Sequence, residues 1–142
     1  MTITTFAYIG SLIFTLLGLW HFYWAIGGSL AKGIVIPEVN NNPAFVPSVT
    51  ATVAVGLALI FFAFLVAAKS GFVIVLVSGR ALSWLCFALA FILLVRAIGD
   101  FHYIGFFKRV RGTRFAHLDT LVYSPFCLFL SLIVYFVASK EA

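Results

Sequence analysis

Three histidines (His21, His102, His117) and two of the four acids (Asp100, Asp119) fall near the ends of long apolar runs, together with Arg96 and Tyr123. These residue types have a coherent chemistry. A guanidinium binds an anionic head such as a carboxylate or phosphate, and imidazole transfers protons near neutral pH. Arg96 and Asp100 are four apart and can pair on one helix face. Asp119 opens an apolar run, where a helix amino end favours an anion and an Asp is also a simple cap. At about 1.5 Å per helical residue, His21, Arg96 and Tyr123 lie at matching depth, roughly 6–9 Å from one boundary. The expected ligand-binding set is His21, Trp24, Arg96, Asp100, Tyr103, Asp119, Tyr123 and Ser124. Arg96 would meet negative charge, His21 would give or take a proton, and Asp100 would orient one of them. Trp24 and Tyr123 would line the walls. No nucleophile arrangement, phosphate loop or quinone site accompanies them, so the catalytic residues are unassigned and enzymatic activity is left open.

The same groups offer a second chemistry. His21, His102, His117, Asp100 and Asp119 are of types that suit zinc, iron or copper. No pair has His-x-x-x-His or Glu-x-x-His spacing, and two of the histidines lie on or beside a loop. No metal and no cofactor is therefore expected. Cys86 and Cys127 lie inside apolar runs without metal-ligand spacing, which argues against a disulfide framework.

The elements that hold these residues follow from composition. The chain has 142 residues, 64% hydrophobic, 18% aromatic and 9% charged, with a mean hydropathy of +1.19. A soluble domain carries about 25% charged residues. Nine basic and four acidic side chains do not solvate a globule of this size, which excludes a soluble enzyme, a nucleic-acid binder and a disordered chain. The fold class is all-α, an integral membrane four-helix transmembrane bundle in one domain. Four stretches approach the roughly 20 apolar residues needed to cross a bilayer: 6–25, 49–68, 81–99 and 118–138. Met1 to Thr5 lacks the basic start of a secretory signal and no cleavage site follows, so the first run is expected to be retained. Phe72 to Val77 is apolar, but Ser78-Gly79-Arg80 interrupts it, which places it in a short loop at the membrane surface; one longer, tilted third helix is the alternative.

An even number of spans puts both termini on one face and the loops 26–48 and 100–117 on the other. Pro37, Asn40-Asn41-Asn42-Pro43 and Pro47 prevent a continuous helix in the first of these loops. The loop face carries Lys32, Lys108, Arg109, Arg111 and Arg114; the terminal face carries Lys69, Arg80 and Lys140. That bias favours cytoplasmic loops. All three histidines and two of the four acids also fall at the loop face.

Helix contacts in lipid rely on small residues that allow close approach. Candidate seams are Gly10, Gly18 and Ala25 on the line of His21, then Thr52/Gly56, Ala54/Ala58 and Ala63/Ala67, and the stripe Thr120, Ser124, Cys127 and Ser131. That last stripe packs against a neighbour or lines a cavity. Pro125 removes one backbone donor and frees the carbonyl of Leu121, which predicts a kink and a polar notch at Ser124. Arg96 and Asp100 lie roughly 80–120° around the helix from the small face of Ala90 and Ala97, so they face a neighbouring helix or snorkel to headgroups. Trp20, Phe22, Tyr23 and Trp24 read as an interfacial belt. The basic loop, with Phe106 and Phe107 beside Lys108, Arg109 and Arg111, either rests on anionic lipid or folds as a lid over the notch, with bends at Gly105 and Gly112.

His21-Phe22-Tyr23-Trp24-Ala25 with Gly27-Gly28 and Pro37, then Arg96 with Gly99-Asp100-Phe101, then Phe115, Asp119 and Ser124-Pro125 resemble a family of small bacterial four-helix membrane proteins, a domain of unknown function. The resemblance covers most of the chain and implies four spans in one small domain. It implies no activity. The functional expectation therefore comes from the residues: a multi-pass plasma (inner) membrane protein whose polar, aromatic pocket at one face binds an amphiphilic, anionic, lipid-like ligand. The partner is membrane lipid or an amphiphilic small molecule, with no nucleic acid; a homo-oligomer or a partner membrane protein is the macromolecular alternative. That alternative makes the chain an accessory or structural subunit. A metal or haem centre and a small transporter are further readings; the transporter lacks a deep acid among Glu38, Asp100, Asp119 and Glu141.

Overall fold

Each of the four long helices opens on a hydroxyl cap. The side-chain oxygens of Thr2, Ser48, Ser78 and Thr113 accept from the N–H three residues on, at Thr5, Ala51, Ala81 and Ala116, satisfying a donor that a helix start otherwise leaves free. The helices are α1 (Ile3–Ala25), α2 (Val49–Lys69), α3 (Gly79–Ile98) and α4 (Arg114–Ala138), all long and apolar enough to cross a membrane. The computed structural model describes residues 2–39 and 42–140. Met1, Glu141 and Ala142, and Asn40 and Asn41 of the asparagine run, lie outside the described residues.

The caps also explain where the helices depart from the apolar runs. Thr113 starts α4 four residues ahead of Leu118, inside the stretch read from sequence as loop. Phe72 to Val77 is non-helical; Phe72 stacks on Tyr8 at 4.1 Å, while Ile74 and Leu76 are exposed.

α1 packs mainly on α2 and α3 mainly on α4, and the two hairpins meet through α1 with α4 and α2 with α3. Phe14, Val66, Cys86, Leu89, Leu130 and Val134 form the centre of the shared core. The outward sides are apolar too, with Leu12, Leu16, Phe61 and Phe91 exposed, as expected where the solvent is hydrocarbon.

Small residues make the seams, though not all of those expected. A Cβ on Gly18 would stand 3.0 Å from the Gly56 carbonyl oxygen, and one on Gly56 3.2 Å from that of Gly18, so α1 and α2 cross backbone to backbone. Gly10 sits against Ile133 of α4. Between α3 and α4 the Ser131 hydroxyl donates to the Ala90 carbonyl at 2.7 Å. Ala54 and Ala58, in contrast, are exposed and form no seam. Thr120 also turns outward while Ser124 and Ser131 are buried, because α4 changes register between them.

Residues 26–39 and 42–48 form a strap that crosses the helix ends. It turns at Gly27 (φ +101°), makes one 3-10 turn at Lys32–Ile34, and pairs β1 (Glu38–Val39) antiparallel with β2 (Asn42–Pro43), Glu38 opposite Pro43.

Candidate functional site

The site is built around a break in α4. Over Asp119–Tyr123 the helix widens into a π-turn, and the Ser124 N–H donates to the Asp119 carbonyl, five residues back. Pro125 follows at once. Its ring would collide with the carbonyl four residues earlier in a regular helix, and the wider turn provides the needed room. The surplus residue also rotates Asp119 inward, and its side chain is completely buried.

A carboxylate in that position needs partners, and Asp119 has four. Arg96 Nη2 of α3 donates to Oδ1 at 2.9 Å. Oδ2 accepts from Lys108 Nζ at 3.0 Å, the Gly105 N–H at 2.7 Å and the Ser124 hydroxyl at 3.3 Å. Lys108, 3% exposed, also donates to the Gly105 carbonyl at 2.9 Å and to Thr120 Oγ1 at 2.6 Å. Two cations and one anion leave the cluster with a net positive charge.

The basic loop is folded to deliver Lys108 and the Gly105 N–H. Gly99 and Gly105 both have positive φ and pack so closely that a Cβ on Gly99 would lie 1.8 Å from the Ile104 carbonyl oxygen. The Phe106 and Phe107 N–H groups then return to the Ala97 and Ile98 carbonyls at 2.9 and 3.3 Å. Asp100 Oδ1 caps the same loop, accepting from the N–H groups of His102, Tyr103 and Ile104 at 2.8, 2.7 and 3.0 Å. Its slight burial would push its pKa up, but these three donors prevail and hold the carboxyl below its usual range.

Arg96 connects this cluster to a cavity of about 430 Å³ under the strap, bounded by all four helices. Leu17, His21 and Trp24 of α1 line it, as do Thr52 and Val55 of α2, Arg96 of α3, and Phe115 and Tyr123 of α4. The strap closes it with Lys32, Val35, Ile36 and Phe45. Most polar groups here are already engaged. His21 Nδ1 donates to the Leu17 carbonyl at 2.8 Å, and Nε2 has no hydrogen bond among the described residues. Trp24 Nε1 donates to the Leu30 carbonyl at 2.8 Å and the Tyr123 hydroxyl to the Ile34 carbonyl at 3.2 Å, so two cavity aromatics hold the strap in place. Arg96 differs: only Nη2 is bonded, and Nη1 is buried without a partner among the described residues.

The structure therefore sorts the residues expected from sequence into three places. His21, Trp24, Arg96 and Tyr123 line the cavity. Asp119 and Ser124 stand behind Arg96 in the buried cluster. Asp100 and Tyr103 are in the loop and line no part of the cavity. Arg96 does not pair with Asp100: the carboxylate of Asp119 is buried and needs the guanidinium, whereas Asp100 is exposed and serves its own loop. Asp119 is not a helix cap, since Thr113 fills that role. The strap covers the cavity, while the basic loop folds back onto Asp119 and Ser124 at the notch, with Phe101 and Phe107 exposed. His102 and His117 are exposed, and no three His, Cys, Asp or Glu among the described residues are grouped to hold a metal ion.

Lys108 and Lys32 were not singled out as site residues from sequence, where both read as interfacial charges. A signal for Lys108 existed in Gly99 and Gly105, which bracket a loop short enough to fold back on the helix end. Lys32 carried no such mark, because its position depends on a bond to Leu30 from Trp24 and on one to Ile34 from Tyr123, 89 residues away.

Four apolar spans enclosing a cationic cavity with greasy walls define a small multi-pass membrane protein with a pocket at one mouth of its bundle. The chain belongs to the family described as protein of unknown function (DUF3995), whose model matches residues 14–134. No curated protein and no solved structure matches the chain.

Proposed function

We propose that the cavity binds an amphiphile with an anionic head, the head on Arg96 and the apolar body against Leu17, Val35, Val55 and Phe115 in the plasma membrane. The observation that carries this reading is the guanidinium of Arg96, which lines the cavity with one nitrogen bonded to Asp119 and another buried without an acceptor. A buried donor without a partner costs about 1–3 kcal/mol, more when charged, and a small turn of the guanidinium toward the cavity lets an anionic head supply the missing acceptor with a charge-assisted bond. The cavity volume lies within the range of small-molecule sites, which are mostly apolar with a few fixed polar groups. His21 lines the same space with Nδ1 engaged on Leu17, so a proton-transfer step on the bound head through Nε2 is compatible with the arrangement.

The test is the lipid carried through purification. Wild type and Arg96→Ala are extracted in the same mild detergent, and bound lipid is identified by mass spectrometry. The reading expects an anionic amphiphile at near-stoichiometric level in wild type and its loss in the variant. Identical lipid content in the two proteins overturns it.

A further inference from the structure

The cavity holds a second cation that its own structure leaves unused. Lys32 lines the cavity from the strap, and its ammonium makes no hydrogen bond or ion pair among the described residues. Its placement is not that of a free surface lysine. The carbonyls of Leu30 and Ile34, which flank it, are the two strap groups gripped by Trp24 and Tyr123. Ala31, immediately before it, is held at φ +61°, a left-handed conformation that costs a non-glycine residue about 1–2 kcal/mol and persists only where the surroundings impose it. The strap is thus fastened on both sides of Lys32, with backbone strain at its neighbour.

Charge balance at the cavity then indicates the kind of head. Arg96 and Lys108 against Asp119 give one surplus positive charge, and Lys32 adds another. A carboxylate or a phosphodiester carries a single negative charge and would leave one cation without a counterion in a largely apolar space, where unpaired charge is costly. A phosphate monoester carries −1.5 to −2 near neutral pH and three terminal oxygens. It satisfies both cations at once, one oxygen facing Arg96 and another Lys32. We infer that the ligand is an amphiphile headed by a phosphate monoester, its phosphate bridged between Arg96 of the bundle and Lys32 of the strap, and that Lys32 determines selection of this dianion over monoanions. The inference rests on the pocket reading above and narrows its ligand class.

Defined probes separate the possibilities. The full chain, purified in a neutral detergent, is titrated by native mass spectrometry with dodecyl phosphate, dodecyl methyl phosphate, dodecanoate and dodecanol, and with inorganic phosphate as competitor. Wild type is expected to bind dodecyl phosphate about tenfold more tightly than either monoanion, a difference of one charged contact. Lys32→Gln, outside the four long helices, removes that preference: dodecyl phosphate binding falls about tenfold and that of the monoanions changes by less. Arg96→Lys keeps a cation for Asp119 but loses the second guanidinium arm, and weakens all three anions. Equal affinity for the three anions in wild type, or an unchanged preference in Lys32→Gln, overturns the phosphate monoester while the pocket stands. Anions that bind no better than dodecanol overturn the pocket itself. Inorganic phosphate that displaces dodecyl phosphate at equal concentration shows a site for the free ion and overturns the amphiphilic ligand.

Discussion

Arg96 of α3 and Asp119 of α4 meet at 2.9 Å across 23 residues of sequence, and the carboxylate at this junction is wholly buried. The pair fastens the third helix to the fourth and at the same time holds the guanidinium on the cavity wall. Lys108 completes the arrangement from the loop, so one carboxylate organises groups from both helices and their connection.

Removing that carboxylate leaves two cations facing each other without a counterion. Asp119→Asn is expected to destabilise the chain by about 3–5 kcal/mol, the usual cost of breaking a buried ion pair from one side. Thermal unfolding in detergent measures it; a variant as stable as wild type contradicts the assignment of Asp119 as the organising charge.

Two glycines with the same backbone sign should respond very differently. Gly27 and Gly99 both have φ +101°, but a Cβ on Gly27 meets nothing within 4 Å, while one on Gly99 would overlap the Ile104 carbonyl oxygen. Gly27→Ala is expected to cost about 1–2 kcal/mol from backbone strain alone. Gly99→Ala must in addition separate the loop from the helix end, and is expected to cost clearly more and to expose Lys108 to amine-reactive reagents. Equal costs in the two variants would count against the folded-back loop.

The Asp100 cap makes the basic loop sensitive to acid. Its folded carboxyl titrates below the ordinary value, which is about 3.9. The stabilisation is therefore fully present above that value and is lost as the pH falls through the lower, folded one. Hydrogen exchange of the His102, Tyr103 and Ile104 amides, corrected for intrinsic rates, should show constant protection from pH 8 to 5 and a decline below about pH 4. Asp100→Asn should remove the pH dependence.

Tyr123→Phe deletes the hydroxyl that holds the Ile34 carbonyl and keeps the ring beside Phe115. The expected loss in stability is only about 0.5–1.5 kcal/mol. The larger effect is local: residues 26–48 become more sensitive to protease while the helices do not. Unchanged cleavage of the strap would show that the hydroxyl does not fasten it.

The crossing of α1 and α2 tolerates no added bulk. Gly56→Leu would drive a side chain into Phe22 and the Gly18 carbonyl, and a loss of about 1–3 kcal/mol is expected from overpacking. Ala58→Leu, on the exposed side of the same helix, should be neutral.

The four helices were legible because hydrophobic length is a local property, readable in each segment alone. Matching depth along the helices also put His21, Arg96 and Tyr123 at one level, and all three line the cavity. Partners were harder to read. A spacing of four made Asp100 the natural mate of Arg96, yet burial decided for Asp119, and burial is set by packing between distant segments. The strap was invisible as a lid for the same reason: its prolines and asparagines exclude helix but say nothing of where the chain is tied. The stripe of small residues on α4 failed at Thr120 because its regular spacing assumed an unbroken helix.

The widened turn at Asp119–Tyr123 also sets the phase of α4. Each residue of a regular helix advances by about 100°, so the segments before and after this turn are offset by one such step. A single-residue deletion there would restore an ordinary coil and keep the span apolar. It would also swing Asp119 about a quarter-turn away from Arg96, or else throw Ser131 and Val134 off the α3 face. The irregularity acts as a phase adjuster, allowing one continuous rod to serve a polar junction at its mouth and a dry interface along its length.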